Sequence, residues 1–165
     1  MSFRRYYPEY ATLPLRLIAG LAMIYHGLPK FTGPTREGFV GMLQGLGLPA
    51  PDFLALLVAV IEVAGGLLLL VGALTRVAAI GLIAVQVVAL VAVHLPHGFN
   101  FMNIRGMGPE GPILGMPGYE VNLIYLAILA ALFIGGPGAV SVDALREREQ
   151  PRGREVRQIP VRKAA

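Results

Sequence analysis

Four stretches of this chain run almost unbroken through apolar side chains: residues 13–31, 53–73, 76–95 and 119–136, each 18–21 residues long. A helix rises 1.5 Å per residue, so each can cross about 30 Å of hydrocarbon. Lipid offers the backbone no hydrogen-bond partners, and a helix satisfies its own. A barrel strand would alternate apolar and polar residues over about ten positions, and these runs do not alternate. Composition agrees: 55% of the 165 residues are hydrophobic and 15% charged, against about 25% charged in a soluble domain. The expectation is an all-α membrane protein, a bundle of four transmembrane helices in contact with a lipid bilayer.

The connections differ in kind. Between the first two spans, in residues 34–51, Phe39, Met42, Leu43 and Leu46 recur at helical spacing, which predicts a short interfacial helix. Thr75 and Arg76 read as a tight turn between the second and third spans. Residues 96–118 form a long loop rich in glycine and proline, a length usual in functional lids or in disordered segments. After Gly135-Gly136-Pro137-Gly138 the chain leaves the membrane, and Ser141 can cap a short amphipathic helix. The expected organisation is one transmembrane domain over residues 1–145 and a basic cytoplasmic tail over 146–165. Arg4 and Arg5 precede the first run as in a secretory signal. Arg16 interrupts that run and no small-residue cleavage site follows, so it reads as a retained helix.

Lysine and arginine counts set the orientation. Arg4, Arg5, Arg16, Arg76 and the tail residues Arg146, Arg148, Arg152, Arg154, Arg157, Arg162 and Lys163 fall on one side, and Lys30, Arg36 and Arg105 on the other. Both termini are expected in the cytoplasm of a bacterial-type plasma (inner) membrane, with the longer loops outside. The tail suits anionic lipid better than nucleic acid.

Ionisable groups at a helix centre cost at least about 2.5–3.5 kcal/mol to insert, so their positions are the best functional evidence. The first run carries Arg16, His26 and Lys30, the second Glu62, the third Gln86 and His94, with His97 just beyond, and the fourth opens on Glu120 and Asn122. Glu62 lies nine residues after Phe53 and Gln86 nine before Leu95, which puts both at about 13 Å depth. Small residues beside them on the first two runs let backbones approach closely. The polar faces are therefore expected to line an outward-opening funnel with Glu62 at its floor. His26 and Glu62 are candidates for a proton relay, and Lys30, Gln86, His94 and Asn122 for ligand contacts. Arg16 and Arg76 read as anchors that snorkel to phosphate at the inner boundary. The plainer alternatives are a bundle-locking ion pair for Glu62 and an interhelical hydrogen bond for Gln86. His94 and His97 have a metal-ligand spacing, but Pro96 ends the helix and no third ligand is assured, so no metal is expected. There is no cysteine, which excludes thiolate metal sites, an iron–sulfur cluster held by this chain alone and a persulfide. No phosphate loop, dinucleotide fingerprint or haem attachment motif is present.

Arg16 followed by His26-Gly27-x-x-Lys30, then Gly47-Leu-Pro49, Glu62-Val-Ala-Gly65-Gly66, Gly72-Ala-Leu-Thr75-Arg76 and Gly136-Pro-Gly138-Ala-Val-Ser141-Val-Asp143, resembles the DoxX family over about residues 13–145. The resemblance implies a four-helix membrane protein, with relatives tied to thiosulfate:quinone oxidoreductase, terminal oxidase and oxidative-stress systems. Arg16, His26, Lys30, Glu62 and Arg76 carry it. It makes a subunit of a quinone-linked redox complex the first expectation, with quinone as the ligand, no cofactor held by this chain alone, and electrons from a partner subunit. A noncatalytic assembly subunit is the alternative, and a small homo-oligomeric transporter a third.

Overall fold

The computed structural model describes residues 10–149. Arg4, Arg5 and the tail from residue 150 onward lie outside the described residues. Helix α1 (Thr12–Gly27) runs into a 3-10 turn, Leu28–Lys30, where Pro29 interrupts the α pattern. Helix α2 (Gly33–Gly45) is the short helix expected between the first two apolar runs, with Leu43 buried. Helix α3 spans Pro51–Val71, with Pro51 in the first turn, where a missing N–H costs nothing. Helix α4 (Thr75–Ala89) continues through a π-turn, Leu90–His94, and a 3-10 turn, Leu95–His97. Pro96 cannot donate to the carbonyl four residues earlier and crowds it, so the widened turn ahead of it absorbs the misfit. Helix α5 spans Glu120–Gly135 and α6 Val142–Glu149.

Three expectations change. The 96–118 segment is not a plain loop: Ile104–Gly108 (β1) and Gly111–Leu114 (β2) pair as an antiparallel hairpin, so the chain is mostly rather than wholly helical. Both strands are edges, which is why Pro112 is tolerated, and the register slips beside Arg105. Second, the tight turn is Gly72-Ala73-Leu74, and Thr75 already opens α4. Gly72, at φ +67°, closes α3: its N–H donates to Leu69 O at 3.1 Å, and that of Ala73 to Leu68 O at 2.9 Å, the paired bonds of a Schellman cap. Third, length separates the helices. Pro51–Val71 and Thr75–His97 are long and apolar enough to cross a membrane, whereas α1 and α5 have 16 residues each, a rise of about 24 Å.

The long helices form a ring, α1 against α3 and α5, and α4 between α3 and α5. Its core is Ala19, Met23, Leu69, Ala78, Leu82, Leu129 and Leu132. The closest approach is α1 on α3. A Cβ on Gly20 would lie 2.8 Å from Gly66 O, and one on Gly66 2.7 Å from Gly20 O. Only glycine at both positions lets these backbones touch. The outer faces of α3, of α4 and of the π-turn that continues it carry exposed Leu67, Val71, Val77, Ile80, Val87 and Val91, a surface suited to acyl chains rather than water.

Candidate functional site

The α1–α3 contact places the first pair of charges. A Cβ on Gly27 would stand 2.8 Å from Glu62 Cβ, so the helices are pressed together where α1 hands over to the turn holding Lys30. Lys30 Nζ donates to Glu62 Oε2 in a direct ion pair, the two side chains 15% and 5% exposed. The ammonium also lies 5.1 Å from the centroid of the Phe39 ring on α2, a cation–π contact. Two charges taken out of water need such partners to offset desolvation.

Opposite this pair, α4 and α5 contribute a buried amide couple. Asn122 Nδ2 donates to Gln86 Oε1 at 2.9 Å, and Gln86 Nε2 reaches Met23 Sδ at 3.7 Å. The π-turn carries His94, whose Nδ1 lies 2.9 Å from Pro117 O. His26 meets the edge of the Tyr125 ring at a 6.4 Å centroid separation. His26, Lys30, Glu62, Gln86, His94 and Asn122 all line one cavity of about 320 Å³. Its roof comes from the 96–118 segment through Phe101, Met116, Pro117 and Gly118. That roof is stitched down by Tyr119 N to Gly98 O and Glu120 N to Phe99 O, both 3.0 Å, and by Phe101 N donating to Glu120 Oε2 at 3.0 Å. Glu120 is thus occupied by the loop, and His97 does not line the cavity.

A second cavity of about 260 Å³ adjoins the first between α2, α3 and α4. Apart from Lys30 and Glu62 at one end, its walls are apolar: Leu54, Leu57 and Val58 from α3, and Ala84, Val88 and Ala92 from α4 and its π-turn.

The other end of the bundle is held differently. Arg16 does not snorkel: it is 2% exposed. Its Nη1 donates to Pro137 O and its Nη2 to Val140 O at 2.7 Å, and the guanidinium packs against Gly72, where a Cβ would collide with it. The carbonyls freed after α5 supply its partners. Arg76 is exposed. Asp143 on α6 accepts from Leu74 N at 2.9 Å, Thr75 N at 3.1 Å and Thr75 Oγ1 at 3.2 Å. It caps α4 from a distant part of the chain. Partial burial pushes the Asp143 carboxyl up, but those hydrogen bonds and nearby Arg146 outweigh it and hold the group below the usual carboxylate range. Ser141 caps α6 as expected, its Oγ accepting from Ala144 N at 3.1 Å.

Sequence reasoning missed Tyr125, Phe101 and Met116 as cavity residues, and Asp143 as the cap of α4. An aromatic in an apolar run carries no sign of the face it takes, and the loop residues come near only because the hairpin folds back. The Asp143 signal existed in the unusual absence of a good N-cap at Leu74.

A family model for DoxX matches residues 11–95. Among curated proteins, an uncharacterised membrane protein of Mycobacterium tuberculosis is 35% identical over 136 residues, 78% of this chain and 77% of its own length. CatD of Bacillus subtilis, whose name assigns it provisionally as an oxidoreductase, is 36% identical over 91 residues, 55% of this chain and 65% of its own. The inner membrane protein YphA of Escherichia coli is 31% identical over 148 residues, 87% of this chain and 99% of its own. No solved structure matches.

Proposed function

Because the chain belongs to the DoxX family of membrane proteins, we propose that it is a four-span subunit of a quinone-linked redox complex that binds the quinone head group in the cavity around Lys30 and Glu62. The observation that carries this reading is the convergence of six polar residues from four helical segments on one intramembrane chamber. Such groups are costly in lipid and are kept where they act on a ligand or a proton.

In this reading α1 spans together with its 3-10 extension, and α3, α4 and α5 make the other crossings. The skew of Lys and Arg puts Arg76 and both termini in the cytoplasm and Lys30, Arg36 and Arg105 outside. A bacterial-type inner membrane agrees with the naming of YphA.

The donor set fits a quinone. The head group is flat and apolar with two carbonyl oxygens, and it needs a donor at each. Lys30 has three N–H donors, of which Glu62 takes one, and His26 and Asn122 stand on other walls of the chamber. A bound quinone supplies two-electron, two-proton chemistry, and the electrons come from a partner subunit. The chain's own part is to bind, orient and move protons. Glu62 Oε2 takes up or releases a proton, and Lys30 Nζ balances its charge. His26, exposed toward the chamber, passes protons outward. The aromatic and methionine roof limits water.

The test is quinone binding to the natively extracted protein. A saturable titration with a short-chain benzoquinone is expected, weakened by Glu62→Gln and by His26→Ala. Folded wild-type protein with no saturable binding refutes the reading. A second reading is a noncatalytic assembly subunit, favoured by the way Lys30–Glu62 and Gln86–Asn122 satisfy each other. It predicts a stoichiometric partner on native purification, and an effect of Glu62→Gln on assembly with turnover per assembled complex unchanged.

A further inference from the structure

The chamber and the apolar groove are two ends of one space. They share Lys30, Phe39, Met42, Glu62, Ala89 and Val93, so the ion pair is at once a wall of the polar chamber and the closed end of the groove. The groove opens sideways: Leu57 and Val88 on its rim are exposed on the outer face of the bundle. Helix α2 covers it through Phe39, Met42 and Leu43. The interfacial helix thereby makes a roof over a passage from the lipid-facing surface to the charges. An apolar passage ending on an ion pair fits an amphipathic molecule whose polar head turns inward to the charges and whose chain lies along the apolar walls.

We propose that this groove is the lateral entry and tail-holding channel of the site: a quinone with a long alkyl or isoprenoid chain enters from the hydrocarbon, its head passing between α2 and the α3–α4 seam and its tail remaining along Leu57, Val88 and Ala92. This rests on the quinone reading of the chamber and adds the class of quinone and its route.

Lipid tails are as apolar as the groove, so burying the chain there yields little hydrophobic gain over leaving it in the bilayer. Location, not affinity, is therefore the readout. The full chain in nanodiscs is illuminated with a decyl-benzoquinone bearing a photoreactive diazirine at the tail end, and labelled peptides are mapped by mass spectrometry. Labelling is expected on the α3 and α4 peptides containing Leu57, Val88 and Ala92, and to be displaced by excess unlabelled decyl-benzoquinone. Ala92→Phe places a ring in the groove and should cut that labelling about tenfold, the size of effect that overpacking a tight space produces. If that variant does not fold, Ala84→Phe, at an exposed position lining the same groove, takes its place. Displaceable labelling confined to the α1–α5 face overturns the channel and leaves the quinone reading standing. Groove labelling that unlabelled quinone does not displace means an acyl chain resides there, and also overturns it. No displaceable labelling, together with no saturable binding of a tail-less benzoquinone, overturns both.

Discussion

Removing one member of the Lys30–Glu62 pair should cost far more than removing both. Glu62 is 5% exposed at its side chain and Lys30 15%, so the carboxylate cannot return to water without moving a helix end and the ammonium reaches it only through the chamber. Breaking a buried pair from one side costs about 3–5 kcal/mol, while exchanging both partners for apolar groups is often neutral. Glu62→Leu strands a cation that still has some access to water through the chamber, which points to the lower edge, about 3 kcal/mol. Lys30→Met leaves a buried carboxylate without its cation and should cost a similar amount, about 3 kcal/mol. At roughly 2–4 °C per kcal/mol for a chain of this size, each single variant should lose about 6–12 °C. The double variant Lys30→Met/Glu62→Leu should return to within about 1 kcal/mol of the parent, against the roughly 6 kcal/mol loss that additivity would give, a coupling of about 5 kcal/mol. The assay is survival of the monodisperse detergent peak after heating, at one fixed heating rate because unfolding of such proteins is irreversible. Additive losses in the double variant would refute the claim that the two charges depend on each other.

Gly66→Ala places a Cβ 2.7 Å from Gly20 O, a backbone atom that cannot swing away, and should cost about 1–3 kcal/mol; Gly38→Ala on α2, with nothing within 4 Å, should cost nothing in the same heating assay. Arg16→Lys keeps the charge but loses the fork that reaches Pro137 O and Val140 O together, so it should destabilise by about 1.5–3 kcal/mol, one charged hydrogen bond; a heating curve equal to the parent's contradicts this. Asp143 is held below the ordinary carboxylate range, so its contribution is present above the unfolded pKa, near 3.9, and is lost as pH falls below that toward the depressed folded value. Hydrogen-exchange protection across α6, measured relative to the intrinsic rate at each pH, should therefore fall on acidification in that window, and Asp143→Asn should lower it already at neutral pH and flatten the dependence.

The apolar runs, the short helix α2, the Ser141 cap and the polar positions were legible in the chain, because hydrophobic length and helical period are local properties. Convergence of His26, Lys30, Glu62, Gln86, His94 and Asn122 was expected from depth and neighbouring small residues, and the coordinates bring all six to one cavity. The hairpin was not legible: its strands are short and interrupted by glycine and by Pro112, and the pairing exists only across the turn. Arg16 was misread, since a charge at the boundary of an apolar run looks the same whether it meets lipid phosphate or carbonyls 121 and 124 positions away. What sequence determined by itself is which segments are apolar enough to leave water and which residues would be costly in lipid, since transfer free energy is counted residue by residue. Which charge meets which partner, that α2 roofs an apolar passage onto Lys30 and Glu62, and that Asp143 caps α4 were decided only in three dimensions. Those outcomes depend on how far two backbones can approach and which face each helix turns inward.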